Sequence, residues 1–141
     1  MVDDPSTRPA LRWTGVCLDC RDAEAMARFY GEVFGWTVTA RDAPEDRAGG
    51  SGWILMSGPD GGPTVSFQAK EWYEPPAWPE VAGSPTKMVH GEVAVDDLDA
   101  AVEVVVRAGG RVAPDQPPGR DQRHLRVVLD PAGHPFCLGD E

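Results

Sequence analysis

Positive charge is scarce in this chain: 13 lysines and arginines stand against 23 aspartates and glutamates, a formal net charge of −10. Such a surface cannot replace the counterions of a phosphate backbone, which excludes nucleic-acid binding as a function class. A neutral or cationic guest is easier to accommodate. Long hydrophobic runs are also missing, and no stretch reaches the roughly 18 apolar residues that a bilayer span requires. The opening MVDDPSTRPA is acidic and polar, unlike the basic start and apolar core of a secretory signal. Cysteines number three, an odd count that fits a reducing cytoplasm better than a disulfide framework. Cys17 and Cys20 spell a C-x-x-C, but on a strand positions three apart point to opposite faces, so they are not expected to share a metal.

What the chain does contain is a repeat. The stretch WTGVCLDCRDAEAMARFYGEVFGWTV, starting at Trp13, returns as KMVHGEVAVDDLDAAVEVVVRAGGRV, starting at Lys87. With Asp22 laid on Asp97, Leu18 meets Val93, Cys20 meets Val95, Ala25 meets Ala100 and Gly35 meets Gly110. The helical set Met26, Phe29, Tyr30 and Val33 meets Ala101, Val104, Val105 and Ala108. A duplicated strand–helix unit is the organising feature. At 141 residues and 41% hydrophobic, the chain fits one domain able to bury roughly 68–70% of its unfolded surface.

Taken in order, residues 1–10 read as a frayed tail and Leu11 to Asp19 as a first strand. A helix capped by Asp22 runs from Ala23 to a stop at Gly35. Trp36–Arg41, Trp53–Met56 and Thr64–Gln68 read as strands, with DAPEDRAGGSG as a loop. Residues 70–86, rich in proline and aromatics, are expected to link the halves and pack across the molecule. The second half repeats the order: a strand through His90 and Val95, a helix from Asp97 to Gly109, and a short strand at Arg111–Val112. The strand HLRVVLD, the turn DPAG and the strand HPFCL complete it. The alternation places His124 and Arg126 on the hollow face of the sheet and Leu125, Val127 and Leu129 on the other. The expected fold is α+β: two βαβββ modules, about 11–69 and 87–139, in one domain.

These paired modules, the F-Y-G-x-x-F-G-W helix end and the closing D-P-A-G-H-P-F-C turn resemble the vicinal oxygen chelate superfamily of glyoxalases, extradiol dioxygenases and bleomycin- and fosfomycin-resistance proteins. The resemblance covers residues 11–139 and implies an open half-barrel whose concave face holds the ligand. It also implies the positions at which metal-dependent members carry ligands: Gly15, Gln68 (or Ser66), His90 and Cys137. Glycine offers no donor, and Cys137 is a soft one. A set of His90, Glu92 and His124 is also conceivable. No metal or other cofactor is expected, with a divalent ion at His90, Gln68 and Cys137 as the alternative. For Cys137 the plain role is a small apolar filler, and for His134 a turn residue.

The reading that follows is a metal-free small-molecule-binding protein, sequestering a planar or cationic compound. The expected contacts are His90, Gln68, Trp13, Trp53, Trp72, Glu92, His124 and Arg126. Five tryptophans favour it, because aromatic faces stack on planar ligands and attract cations. Trp78 could also line or lid the hollow. Alternatives are a metal-dependent lyase, isomerase or dioxygenase using His90, and a non-catalytic accessory protein. A cytoplasmic homodimer is expected.

Overall fold

The computed structural model describes residues 9–42 and 52–140. The expected tail (residues 1–8) and most of the expected loop after Arg41 lie outside them. In chain order the elements are β1 (Gly15–Cys20), α1 (Ala23–Phe34), β2 (Thr37–Arg41), β3 (Trp53–Ser57) and β4 (Thr64–Ala69). They are followed by β5 (Gly91–Val95), α2 (Leu98–Arg107), β6 (Arg111–Val112), β7 (Leu125–Leu129) and β8 (Pro135–Asp140). Two four-stranded sheets result, ordered β1-β4-β3-β2 and β5-β8-β7-β6. In each, the first and last strands of the unit pair in parallel and the remaining neighbours are antiparallel. The repeat in the sequence is therefore a repeat in topology, α+β with two open mixed sheets.

The matched aspartates do the same work. Asp22 accepts a hydrogen bond from the Ala25 amide (3.1 Å) and Asp97 from the Ala100 amide (3.0 Å), each satisfying a donor at its helix start. The stops differ. α1 ends on Gly35 at φ 71°, a left-handed cap. α2 ends at Arg107, short of the expected Gly109, because Gly109 adopts φ 109° and cannot extend the helix. β1 begins at Gly15 rather than Leu11: its partner β4 starts at Thr64, and Pro63 before it has no amide to offer.

Both units contribute to one interior. Met26, Phe29 and Tyr30 of α1 are buried with Phe67 of β4, Val105 of α2 and Val128, Phe136 and Leu138 of the second sheet. Phe29 meets Phe136 edge-on, ring centroids 6.2 Å apart. At the junction the Tyr30 hydroxyl donates to Oδ2 of Asp130 (2.8 Å), while Oδ1 accepts from the amides of Ala132 and His134. Asp130 is fully buried, and burial pushes its carboxyl pKa up despite these bonds and the nearby His134. The Tyr30 hydroxyl is likewise held well above its ordinary range, by burial first and by Asp130 second.

The segment after β4 contains no strand or helix and is fixed by single contacts. The Tyr73 hydroxyl donates to the Ala132 carbonyl (2.5 Å), Ala77 N–H bonds the Pro85 carbonyl (2.8 Å), and Trp78 Nε1 donates to the Asp115 carbonyl (2.7 Å). It thus packs across onto the second unit, as its composition suggested. His134 adds a tie in the other direction: its Nε2 donates to the Asp19 carbonyl at 2.6 Å. Cys17 is exposed and Cys20 buried, so the C-x-x-C pair is split between faces. Burial drives the Cys20 thiol up to about 12. Among the described residues no helix is long and apolar enough to cross a membrane.

Candidate functional site

The face of the second sheet turned away from α2 carries a cavity of about 790 Å³. Its floor is Leu125 and Val127 of β7 and Cys137 of β8, with Glu92 of β5 and His90 just before that strand. The register puts Val127 opposite Cys137 and Cys137 beside Glu92, so all three side chains share one face. Two irregular segments supply the walls: Trp78 and Lys87 from the segment after β4, Pro117 and Arg120 from the β6–β7 loop. Gln116 pins that loop, accepting from Val127 N–H (2.8 Å) and donating to the Ala113 and Val127 carbonyls (3.0 Å each).

The polar groups are largely committed to one another. His90 Nε2 lies 3.7 Å from Glu92. Lys87 pairs with Glu80, and its ammonium lies 5.4 Å from the Trp78 ring centroid. Burial raises the Cys137 thiol above its usual pKa, with Glu92 adding to the shift, so the neutral thiol is the resident form. A neutral thiol is a poor nucleophile and a poor metal ligand.

Of the residues expected from sequence, the structure brings together His90, Glu92, Cys137 and Trp78 at this cavity. It separates the others. Gln68 and Trp53 are register partners on the first sheet, with Ser66 on the same strand as Gln68, and none of the three lines the cavity. Trp13 is 81% exposed ahead of β1. Trp72, 87% exposed, borders a second cleft of about 570 Å³ beside Cys17 and Asp19. The faces of β7 are the reverse of those expected. Leu125 and Val127 point into the hollow, Val128 is core, and Arg126 reaches Asp99 of α2 (3.3 Å). His124 donates from Nδ1 to Asp140 (3.0 Å) at the sheet's end. Counting back from the DPAG turn gives the right face, because Leu129 pairs with Pro135 and hence Val127 with Cys137. Lys87, Pro117 and Arg120 had no local signal: they reach the site from irregular segments.

Comparison with known proteins fits this architecture. The sequence model of the family described as "Glyoxalase-like domain" matches residues 15–139. The chain belongs to that family. It is 31% identical over 118 residues to a Mycobacterium tuberculosis protein named "Putative glyoxylase CFP32", a match spanning 84% of this chain and 41% of the relative. The chain thus spans about two-fifths of the length of that relative. Among solved structures it is similar to a glyoxalase/bleomycin resistance protein/dioxygenase family enzyme from Burkholderia phytofirmans (TM-score 0.61, 19% identity, 92% of this chain and 98% of the other). It is also similar to TnmS3, an antibiotic binding protein from Streptomyces (TM-score 0.56, 20% identity, 94% and 98%). The fold is that of the glyoxalase/bleomycin-resistance/dioxygenase superfamily.

The metal-ligand pattern of that superfamily does not fit this glyoxalase-like chain. At Gly15, the first-module position, an added Cβ would lie 1.9 Å from the Thr64 carbonyl oxygen and 2.6 Å from its hydroxyl. The Thr64 hydroxyl is itself held by the Thr14 carbonyl (3.1 Å). No side chain can project from position 15 without displacing β4. The remaining positions are split, Gln68 on the first sheet and His90 with Cys137 on the second. Among the described residues no group of three His, Cys, Asp or Glu side chains is placed to hold an ion.

Proposed function

We propose that this glyoxalase-like chain binds a small planar organic molecule in the hollow of its second sheet and holds it by non-covalent contacts, without a metal ion. The observation that carries this reading is the cavity itself. Its volume of about 790 Å³ is in the range of drug-sized sites, its floor is apolar, and a few polar groups converge at its edge. The likeness to an antibiotic binding protein supports it. Sequestration of a planar compound is then the activity: the ligand leaves as it entered.

The test is titration of tryptophan fluorescence with a panel of planar drugs, since Trp78 lines the cavity. Saturable quenching that Leu125→Trp abolishes by filling the floor, in a variant that still melts cooperatively, is the expected result. Silence across the panel, or binding that ignores the filled cavity, would sink the reading.

A second reading rests on His90, whose imidazole stands at the edge of the same cavity. There His90 would anchor a divalent ion in a lyase, isomerase or dioxygenase. Metal analysis of protein purified without chelator, repeated on His90→Ala, separates the two: bound metal lost with the imidazole favours the second.

A further inference from the structure

Five charged or titratable side chains other than Cys137 line the cavity: Lys87, His90, Glu92, Arg120 and Asp140. Four have partners. Lys87 is paired with Glu80, Asp140 with His124, and His90 with Glu92, whose own side chain is 84% exposed. The Arg120 guanidinium has no hydrogen-bond or ion-pair partner among the described residues. Its nearest acid along the chain, Asp121, is taken by Arg123, which donates from Nε and Nη2 and from its backbone amide. The loop carrying Arg120 is held on the sheet by Gln116 and turned by Gly119 at φ 76°. Among the described residues the cavity therefore has one uncommitted cation, on an anchored support, beside an apolar floor.

The aromatic wall gives a complementary result. A cation already lies over the Trp78 ring, the chain's own Lys87. Trp78 also packs against the cluster of Ala113, Val127 and Leu129, and its Nε1 donates to the Asp115 carbonyl. The pairing of aromatic face and positive charge that the composition suggested for a ligand is satisfied internally. What is left without a partner among the described residues is a positive group.

Resting on the binding reading above, we propose that Arg120 determines specificity, and that the ligand carries a carboxylate or sulfonate on an apolar ring system. The rings lie on Leu125 and Cys137, and the planar oxyanion receives the guanidinium fork, whose geometry matches two oxygens at once. The net charge of −10 disfavours anions at long range, so the recognition is local and short-ranged.

The experiment compares two fluorescent probes that differ in the acid group: 8-anilino-1-naphthalenesulfonate and its neutral relative N-phenyl-1-naphthylamine. Wild-type protein should bind the sulfonate about tenfold more tightly. Arg120→Met should erase that preference by weakening the sulfonate far more than the neutral probe, and Arg120→Lys should keep part of it. Arg120 is exposed and has no side-chain partner among the described residues, so these variants should melt with wild type. Equal binding of the two probes by wild type, or a preference that survives Arg120→Met, overturns the proposal and leaves the cavity reading intact. Binding of both probes that Leu125→Trp fails to block overturns the cavity reading, and this inference with it.

Discussion

Gly15 and His90, matched positions of the two units, occupy the same place in the plan and behave in opposite ways. The first is packed backbone to backbone against Thr64, with no room for a Cβ. The second carries an imidazole at the mouth of a cavity. One unit has closed this position into its sheet and the other has kept it open to a guest. The matched glycines at the helix ends diverge similarly. Nothing lies within 4 Å of a Cβ at Gly35, whose value is its positive φ. At Gly110 a Cβ would meet Val105, the Leu129 carbonyl and Phe29 at 2.7–2.8 Å, so its value is space. Duplication preserved the parts that fold, and the same residue type came to serve different physical needs.

The comparison can be broken most directly at the closed position. Gly15→Ala should cost about 3 kcal/mol through overpacking, whereas His90→Gly should cost below about 1 kcal/mol because its imidazole is partly solvated. Urea denaturation measures both, and equal losses would contradict the asymmetry. The junction comes next. Tyr30→Phe leaves a buried carboxylate oxygen without its donor and should cost about 1–3 kcal/mol. Burial raises the Asp130 pKa, so the folded state favours the protonated carboxyl. Its contribution to stability is largest below the ordinary carboxylate value and is lost as pH rises through the raised one. Wild type should therefore gain on Asp130→Asn as pH falls through that window, and a gap independent of pH would show the shift to be absent. The smallest effects sharpen the glycine pair. Gly35→Ala and Gly110→Ala should each cost about 1–2 kcal/mol. Asparagine should recover part of the loss at Gly35, where a left-handed backbone is the need, and none at Gly110, where room is.

Nearly all of the fold was legible because its signals are local and occur twice. Asp22 and Asp97, the stripe from Met26 to Val33 and the Gly35 stop each encode a helix end or face on their own. The site was legible only on or beside strands, as at Glu92 and Cys137 and at His90 just ahead of β5. In β7 the alternation misled, since Val127 and Val128 are both buried, one under the cavity and one in the core. Arg126 belongs to the helix side because its long side chain reaches Asp99 at the rim. Of the walls only Trp78 was anticipated, from its aromatic face; Lys87 and Arg120 reach the cavity through contacts that no short window contains. Gln68 fell out because the two units place their outer faces on separate sheets.

The tie between Tyr30 and Asp130 bears on how such a tandem gene can drift. A greasy helix in the leading copy supplies the hydroxyl that an interior acid in the trailing copy depends on, so neither copy is free to be trimmed, exchanged or lost. Whatever chemistry the hollow acquires by substitution around its rim, the hinge of inheritance lies on the far side, where two once-equal halves have become each other's missing part.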